Sequence, residues 1–159
     1  MSLESVRSWM SANAPDLRLI EVAESTATVD TAARAIGVEP GRMAKTLAVR
    51  AGDHLFLLCT RGDARLDNRK CKDELGARPR MLDAEQTLEV TGHPVGGVCP
   101  FGLKQPLPVY LDVSLKDFDV VYPAAGSLNS SVEVTTDRLF ALVAERWVDL
   151  CRLPGEAVG

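Results

Sequence analysis

Two features of the 159-residue chain have types and spacing that could do chemistry: Lys45, and the run Gly92-His93-Pro94-Val95-Gly96-Gly97-Val98-Cys99-Pro100-Phe101-Gly102. The run packs four glycines and two prolines into eleven residues. Glycine admits positive φ and lets a ligand approach the backbone, whereas proline fixes its own φ and restricts the residue before it. The expected product is a stiff loop with bare N–H groups, which can hold a phosphate or the oxygen of a carbonyl under attack. In a strand from Met43 to Val49, the period of two puts Lys45 on the face of Leu47 and Val49, with Ala44, Thr46 and Ala48 opposite. A buried ammonium without a partner is costly, so such a lysine faces an anion, a carboxylate or a wet pocket. The alternative is a strand-end lysine whose head reaches solvent along its apolar stem. Paired, the lysine and the loop suggest a small hydrolytic site with little side-chain machinery.

Other chemistries have thinner support. His54 and His93 are the only histidines, and a zinc site or a Ser-His-Asp triad would need one of them. Cys99 could be a nucleophile with His93 as its base, or a small packing thiol. Gly102-Leu103-Lys104 lacks the glycine, lysine and hydroxyl order of a P-loop. Cys59, Cys71, Cys99 and Cys151 contain no CxxC pair, which predicts reduced thiols and no metal. The stretch from Ala124 to Ser131 offers hydroxyls, an amide and backbone N–H groups at a turn.

The elements that must position these residues can be read in order. Leu3, Val6, Trp9 and Met10 form a helical stripe behind a possible Ser2 cap, and a strand follows from Leu17 to Val22. Thr28 or Asp30 can cap a helix across Ala32, Ala33 and Ile36 that stops at Gly37. Strands at Met43 to Arg50 and His54 to Thr60 are joined by the turn Ala51-Gly52-Asp53. A helix from Ala64 to Leu75 starts at Asp63 and ends at Gly76, and Asp83 with Gln86 opens another that ends at Gly92. Strands are expected at Val109 to Asp112, Val120 to Tyr122, Val132 to Val134 and Trp147 to Cys151, with a helix through Leu139, Leu142 and Val143 capped by Thr136 or Asp137. This mixture predicts one α+β domain over residues 1–159 with a mixed sheet and a loose tail over 153–159.

Composition sets the outer limits. The chain is 46% hydrophobic and 25% charged, ordinary for a soluble globular protein, and shows neither a basic leader nor a membrane-length apolar window. A cytoplasmic protein without membrane contact is expected. Net charge is -4, yet seven basic residues face four acidic ones between Arg61 and Arg80. On the expected helix Arg65, Arg69 and Lys72 share a face, which either meets phosphates or is a solvated face laced with salt bridges.

Five motifs taken together carry a resemblance: Thr28-Val29-Asp30-Thr31-Ala32-Ala33, Met43-Ala44-Lys45-Thr46-Leu47, the run from Gly96 to Gly102, Tyr110-Leu111-Asp112 and Ala125-Gly126-Ser127. In order and spacing, from about Glu24 to Val134, the chain resembles the YbaK/ProX family of aminoacyl-tRNA editing domains, related to the insertion domain of bacterial prolyl-tRNA synthetase. The resemblance implies a compact mixed β-sheet, partly barrel-like and surrounded by helices. It implies hydrolysis in trans of a small amino acid, Ala, Cys, Ser or Thr, from mischarged tRNA, with tRNA(Pro) favoured and a transient association with a synthetase. Lys45 matches the family's pocket lysine, which orients the ester and the terminal phosphate. Gly96, Gly97, Val98, Cys99 and Pro100 match its glycine-to-proline loop, and Gly126 and Ser127 a turn that closes the pocket. Arg65, Arg69 and Lys72 become candidate RNA contacts. Neither a cofactor nor a protein nucleophile is implied, since water or a hydroxyl or thiol of the substrate attacks. A non-catalytic tRNA-binding module of the same fold is the alternative, and the presence of both Lys45 and the loop argues against it.

Overall fold

The computed structural model describes residues 2–23 and 28–155. Its order is α1 (Ser2–Asn13), β1 (Arg18–Glu21), α2 (Val29–Ile36), β2 (Ala44–Ala51), β3 (His54–Arg61), β4 (Arg65–Leu66), α3 (Asn68–Leu75), β5 (Pro79–Met81), α4 (Ala84–Thr91), β6 (Val109–Asp112), β7 (Val120–Val121), β8 (Ser130–Thr135), α5 (Thr136–Val143), β9 (Arg146–Val148) and β10 (Cys151–Arg152). The strands form a five-stranded sheet in the order β5-β2-β3-β6-β9, a three-stranded sheet β1-β8-β7 and a two-stranded ribbon β10-β4. The fold is therefore α+β, as expected. Among the described residues none of these sheets closes into a barrel.

The five-stranded sheet is buried on both faces, which is why β3 reads as a continuous apolar run. Leu57 and Cys59 join Ala44, Ala48, Phe101, Leu111 and Leu139 in one core, whereas Phe56 and Leu58 pack with Val49, Tyr110, Val148 and Leu150 in another. Full burial of each such Leu or Phe stabilises by about 1.5–3 kcal/mol. The hairpin between β2 and β3 turns at Gly52, whose φ of +61° needs a glycine, with Ala51 opposite His54. β5 pairs with β2 only over Val49–Ala51, so among the described residues no strand pairs with the outer side of residues 44–48 of β2.

Several boundaries follow the expected signals. Thr28 caps α2 in a reciprocal box with Thr31, Asp83 does the same for α4 with Gln86, and Gly37, Gly76 and Gly92 end their helices in the left-handed conformation. The start of the resemblance near Glu24 lies outside the described residues.

Other boundaries differ. The helix expected from Ala64 begins at Asn68, because Asp67 accepts the N–H groups of Arg69 and Lys70 at 3.0 and 3.1 Å while Arg65–Leu66 is drawn into pairing with Cys151–Arg152. Arg65 therefore does not share a helix face with Arg69 and Lys72. The strand expected over Trp147–Cys151 is broken in two: the Asp112 carboxylate accepts the Leu150 N–H at 2.8 Å and turns the chain between β9 and β10. Thr135, one residue earlier than expected, caps α5. Ser2 lies in the first turn of α1 with its hydroxyl on the His93 ring. Leu153 packs against the second core, and residues 156–159 lie outside the described chain.

Candidate functional site

The open stretch of β2 is the floor of a cavity of about 460 Å³. In a two-residue hairpin closed by Ala51 and His54, alternate residues of β2 bond β3, and those between them face outward. Accordingly the Ala44 N–H donates to the Tyr122 carbonyl at 3.2 Å, and the Ala48 carbonyl accepts from the Leu82 N–H at 3.0 Å. Thr46 lies between them, and among the described residues its outward N–H and carbonyl have no partner. Thr28, Val29 and Ala32 of α2 wall one side, and Gly96 and Val98 of the glycine loop, with Ala124 and Ser131, wall others.

Lys45 alternates with Ala44 and Thr46, on the face of Leu47 and Val49, as the period of two requires. It is half-buried, and its Nζ donates to the Ala64 carbonyl. Burial pushes the ammonium below the ordinary lysine range, an effect opposed by Cys151 and Asp63 and reinforced by the positive charge of Arg65. The side chain lines both this cavity and a neighbouring one of about 560 Å³. The lysine and the glycine loop thus meet across shared space.

The loop is held from behind. Gly96 takes a φ of +97°. The Gly97 N–H donates to the Pro94 carbonyl at 2.9 Å, and its carbonyl accepts from the Gly126 N–H at 2.9 Å. A side chain on Gly97 would place Cβ 2.8 Å from Gly126 C and Ser127 N, and one on Gly126 would meet Ser2. Gly126 and Ser127 are therefore a buttress, not lining. Gly97, Cys99 and Pro100 are likewise behind the wall, whereas Gly96 and Val98 line the cavity. Among the described residues neither the Gly96 nor the Val98 N–H donates to a partner. Of the rest of the lining, α2 and Met43 entered the sequence reading only as motifs of the resemblance and Ser131 only as part of a turn, while Leu82, Thr87 and Tyr122 carried no signal of a site, because only tertiary packing gathers them.

His93 and Cys99 form a buried cluster apart from the cavity. The His93 Nε2–H donates to the Phe101 carbonyl at 2.7 Å, which leaves Nδ1 to accept from the Ser2 hydroxyl. Cys99 Sγ is 3.6 Å from Nε2, and burial pushes its thiol far above the ordinary range. A thiolate here has neither access nor a free base. The ring instead ties the glycine loop to α1. Burial lowers the His93 pKa from its ordinary 6.5, with the Phe101 bond opposing. On acidification the unfolded chain takes up this proton first, so the stability contribution is complete above pH 6.5 and is lost as pH falls below it toward the lowered native value. Denaturation midpoints should fall over that range, and His93→Gln should flatten the fall; an unchanged slope would contradict the neutral, tied ring.

Arg69 and Lys72 are exposed on α3 and line neither cavity, while Arg65 lines the second. Among the described residues no group of three His, Cys, Asp or Glu could hold a metal, and no helix is long and apolar enough to cross a membrane.

Residues 23–142 match the family described as the aminoacyl-tRNA editing domain. The chain belongs to that family. This editing domain is 45% identical over 154 residues to "Uncharacterized protein YwhH" of Bacillus subtilis strain 168, covering 96% of this chain and 98% of that one. It is 25% identical over 130 residues to the "Putative Cys-tRNA(Pro)/Cys-tRNA(Cys) deacylase EbsC" of Enterococcus faecalis, covering 80% and 79% of the two chains. A solved structure described as "a putative trans-editing enzyme for prolyl tRNA synthetase" superposes with a TM-score of 0.87 at 32% identity, over 95% of this chain and 97% of the other.

Proposed function

We propose that the protein is a metal-independent aminoacyl-tRNA hydrolase that acts in trans, in the cytoplasm, on a small amino acid, Ala, Cys, Ser or Thr, attached to tRNA(Pro). The observation that carries this reading is the convergence on one cavity of Lys45 with Gly96 and Val98, whose N–H groups have no partner among the described residues. Names of relatives that refer to Cys-tRNA(Pro) and to prolyl-tRNA synthetase support the choice of tRNA and a transient association with that synthetase.

An aminoacyl ester is already activated, so positioning and stabilisation of developing charge suffice. The Gly96 and Val98 amides receive the carbonyl oxygen, and Lys45 holds the phosphate of the terminal nucleotide. Water, or a hydroxyl or thiol of the substrate, adds to the carbonyl carbon and gives a tetrahedral oxyanion. Its collapse expels the ribose oxygen, which takes up the proton released by the nucleophile. The outward carbonyl of Thr46 is suited to the α-ammonium. Val29, Ala32, Met43 and Ala124 give apolar walls that reject side chains by size, where one methylene is worth about 1–3 kcal/mol.

Incubation with a panel of mischarged tRNAs tests the reading. Clearance of at least one small aminoacyl-tRNA(Pro), with Pro-tRNA(Pro) left intact, is expected. Clearance of none would favour a binding module without chemistry. In the same assay Cys99→Ala should stay within about twofold of the parent, while the lost packing costs about 1–2 kcal/mol of stability; abolished activity would restore the thiol mechanism with His93.

A further inference from the structure

Beyond the ester-cleaving cavity, the ribbon of β4 and β10 builds a cationic one. Arg65 and Arg152 are directly opposed in the ribbon, and both line the second cavity. Like charges directly across an antiparallel pair destabilise it, and Lys45 adds a third cation on the same lining. The arrangement is also organised in advance. Arg152 donates from Nη1 to the Leu66 carbonyl at 3.0 Å, and Lys45 is tied to the Ala64 carbonyl. Burial is the main cause of the lowered Lys45 pKa, and the positive charge of Arg65 adds to it.

Two carboxylates share the cavity, Asp30 and Asp63. Asp63 is committed to Arg61, whose Nε and Nη2 donate to its two oxygens at 2.6 and 2.8 Å. Arg61 also donates to Asp117 at 2.7 Å, and Asp63 acts on Lys45 as well, so three cations share the lining with two carboxylates, one of them already ion-paired. Cations that outnumber the carboxylates of one lining are suited to a polyanion, and Lys45, Leu47, Thr28, Val29 and Met81 line both cavities and join them.

We propose that Arg65 and Arg152, opposed on the β4–β10 ribbon, hold the backbone phosphates of the single-stranded 3′ end of an RNA that enters through the second cavity and delivers its terminal ester past Lys45 to the first. The inference rests on the hydrolase reading for its direction of travel, but not for the binding itself. It replaces the α3 face as the RNA contact, since Arg69 and Lys72 line neither of these two cavities.

The test uses a 5′-fluorescein acceptor-stem hairpin, unacylated, with a free CCA end, and the same hairpin trimmed of CCA, read by anisotropy over a salt series. Arg65→Ala is expected to weaken binding of the intact hairpin about 5- to 10-fold and to lower the slope of log K on log salt by about one, with Arg65→Lys keeping the slope. The trimmed hairpin should bind the parent protein weakly and respond little to Arg65→Ala. Arg152→Ala should act likewise, but it also removes the Leu66 contact, so the exposed Arg65 decides. Equal affinity and slope in parent and Arg65→Ala, an equal loss on the trimmed hairpin, or displacement of the hairpin by inorganic phosphate at concentrations matched to its own phosphates would each overturn the proposal. Arg65-dependent binding without ester cleavage would sink only the hydrolase reading.

Discussion

Lys45→Ala is expected to lower kcat/KM for aminoacyl-tRNA hydrolysis by about 100- to 1000-fold while leaving the melting temperature unchanged or slightly higher. The two readouts separate because the ammonium is half-buried between two cavities, where it gives up hydration for one carbonyl partner. Truncation relieves that desolvation and opens the Ala64 carbonyl to water. What is lost is the cation shared by the two cavities, which on the proposed reading stands between the amino acid and the phosphate, so the loss appears only when the ester is in place. Single-turnover deacylation with thermal denaturation alongside measures both. A fall of less than tenfold would remove the lysine from the reaction, and a collapse of the melting temperature would make it a structural residue.

Gly97→Ala should have an effect of similar size by another route. Its Cβ would lie 2.8 Å from Gly126 C and Ser127 N, both backbone atoms, so the loop must move as a body. Displacement by about 1 Å costs about 100-fold when reacting groups are held by geometry alone. A stability loss of about 1–3 kcal/mol should accompany it. Gly76→Ala is the control. Gly76, unlike Gly97, has positive φ, +82°, and a Cβ there meets nothing within 4 Å. It should cost about 1–2 kcal/mol of stability and no activity. If Gly97→Ala were as active as Gly76→Ala, close packing against Gly126 would not be what positions the amides.

How legible each feature was in the sequence depended on the range of the forces that decide it. Lys45 could be placed because the alternation of Ala44, Thr46 and Ala48 against Leu47 and Val49 is local and strict. The Thr28 and Asp83 caps could be placed because a side chain three residues from its partner suffices. Asp63 and Asp67 defeat the same logic. Both precede helix-forming residues, and the choice between them rests on a pairing with Cys151–Arg152 more than eighty residues away. That pairing also relocates Arg65, which is why the expected basic helix face dissolved. β5 begins with a proline and has three residues, so only its register against Val49–Ala51 identifies it as a strand. Within the glycine loop the density of glycine announced exposed amides, but not which would be consumed. Gly97 spends its N–H on Pro94 and its carbonyl on Gly126, which leaves Gly96 and Val98 facing the cavity.

Since β5 leaves β2 after Val49, the cavity floor is a surface written in peptide groups that every amino acid shares, and on the proposed reading the substrate lies against it. Ordinary side-chain replacement at Thr46 changes neither its N–H nor its carbonyl, and only proline would delete the donor. Recognition of the common aminoacyl skeleton is thereby insulated from drift, while the alanines and valines around it are free to vary. Redesigning which residue is rejected becomes a matter of carving Ala32, Val98 or Ala124, with the bond-breaking apparatus carried over intact.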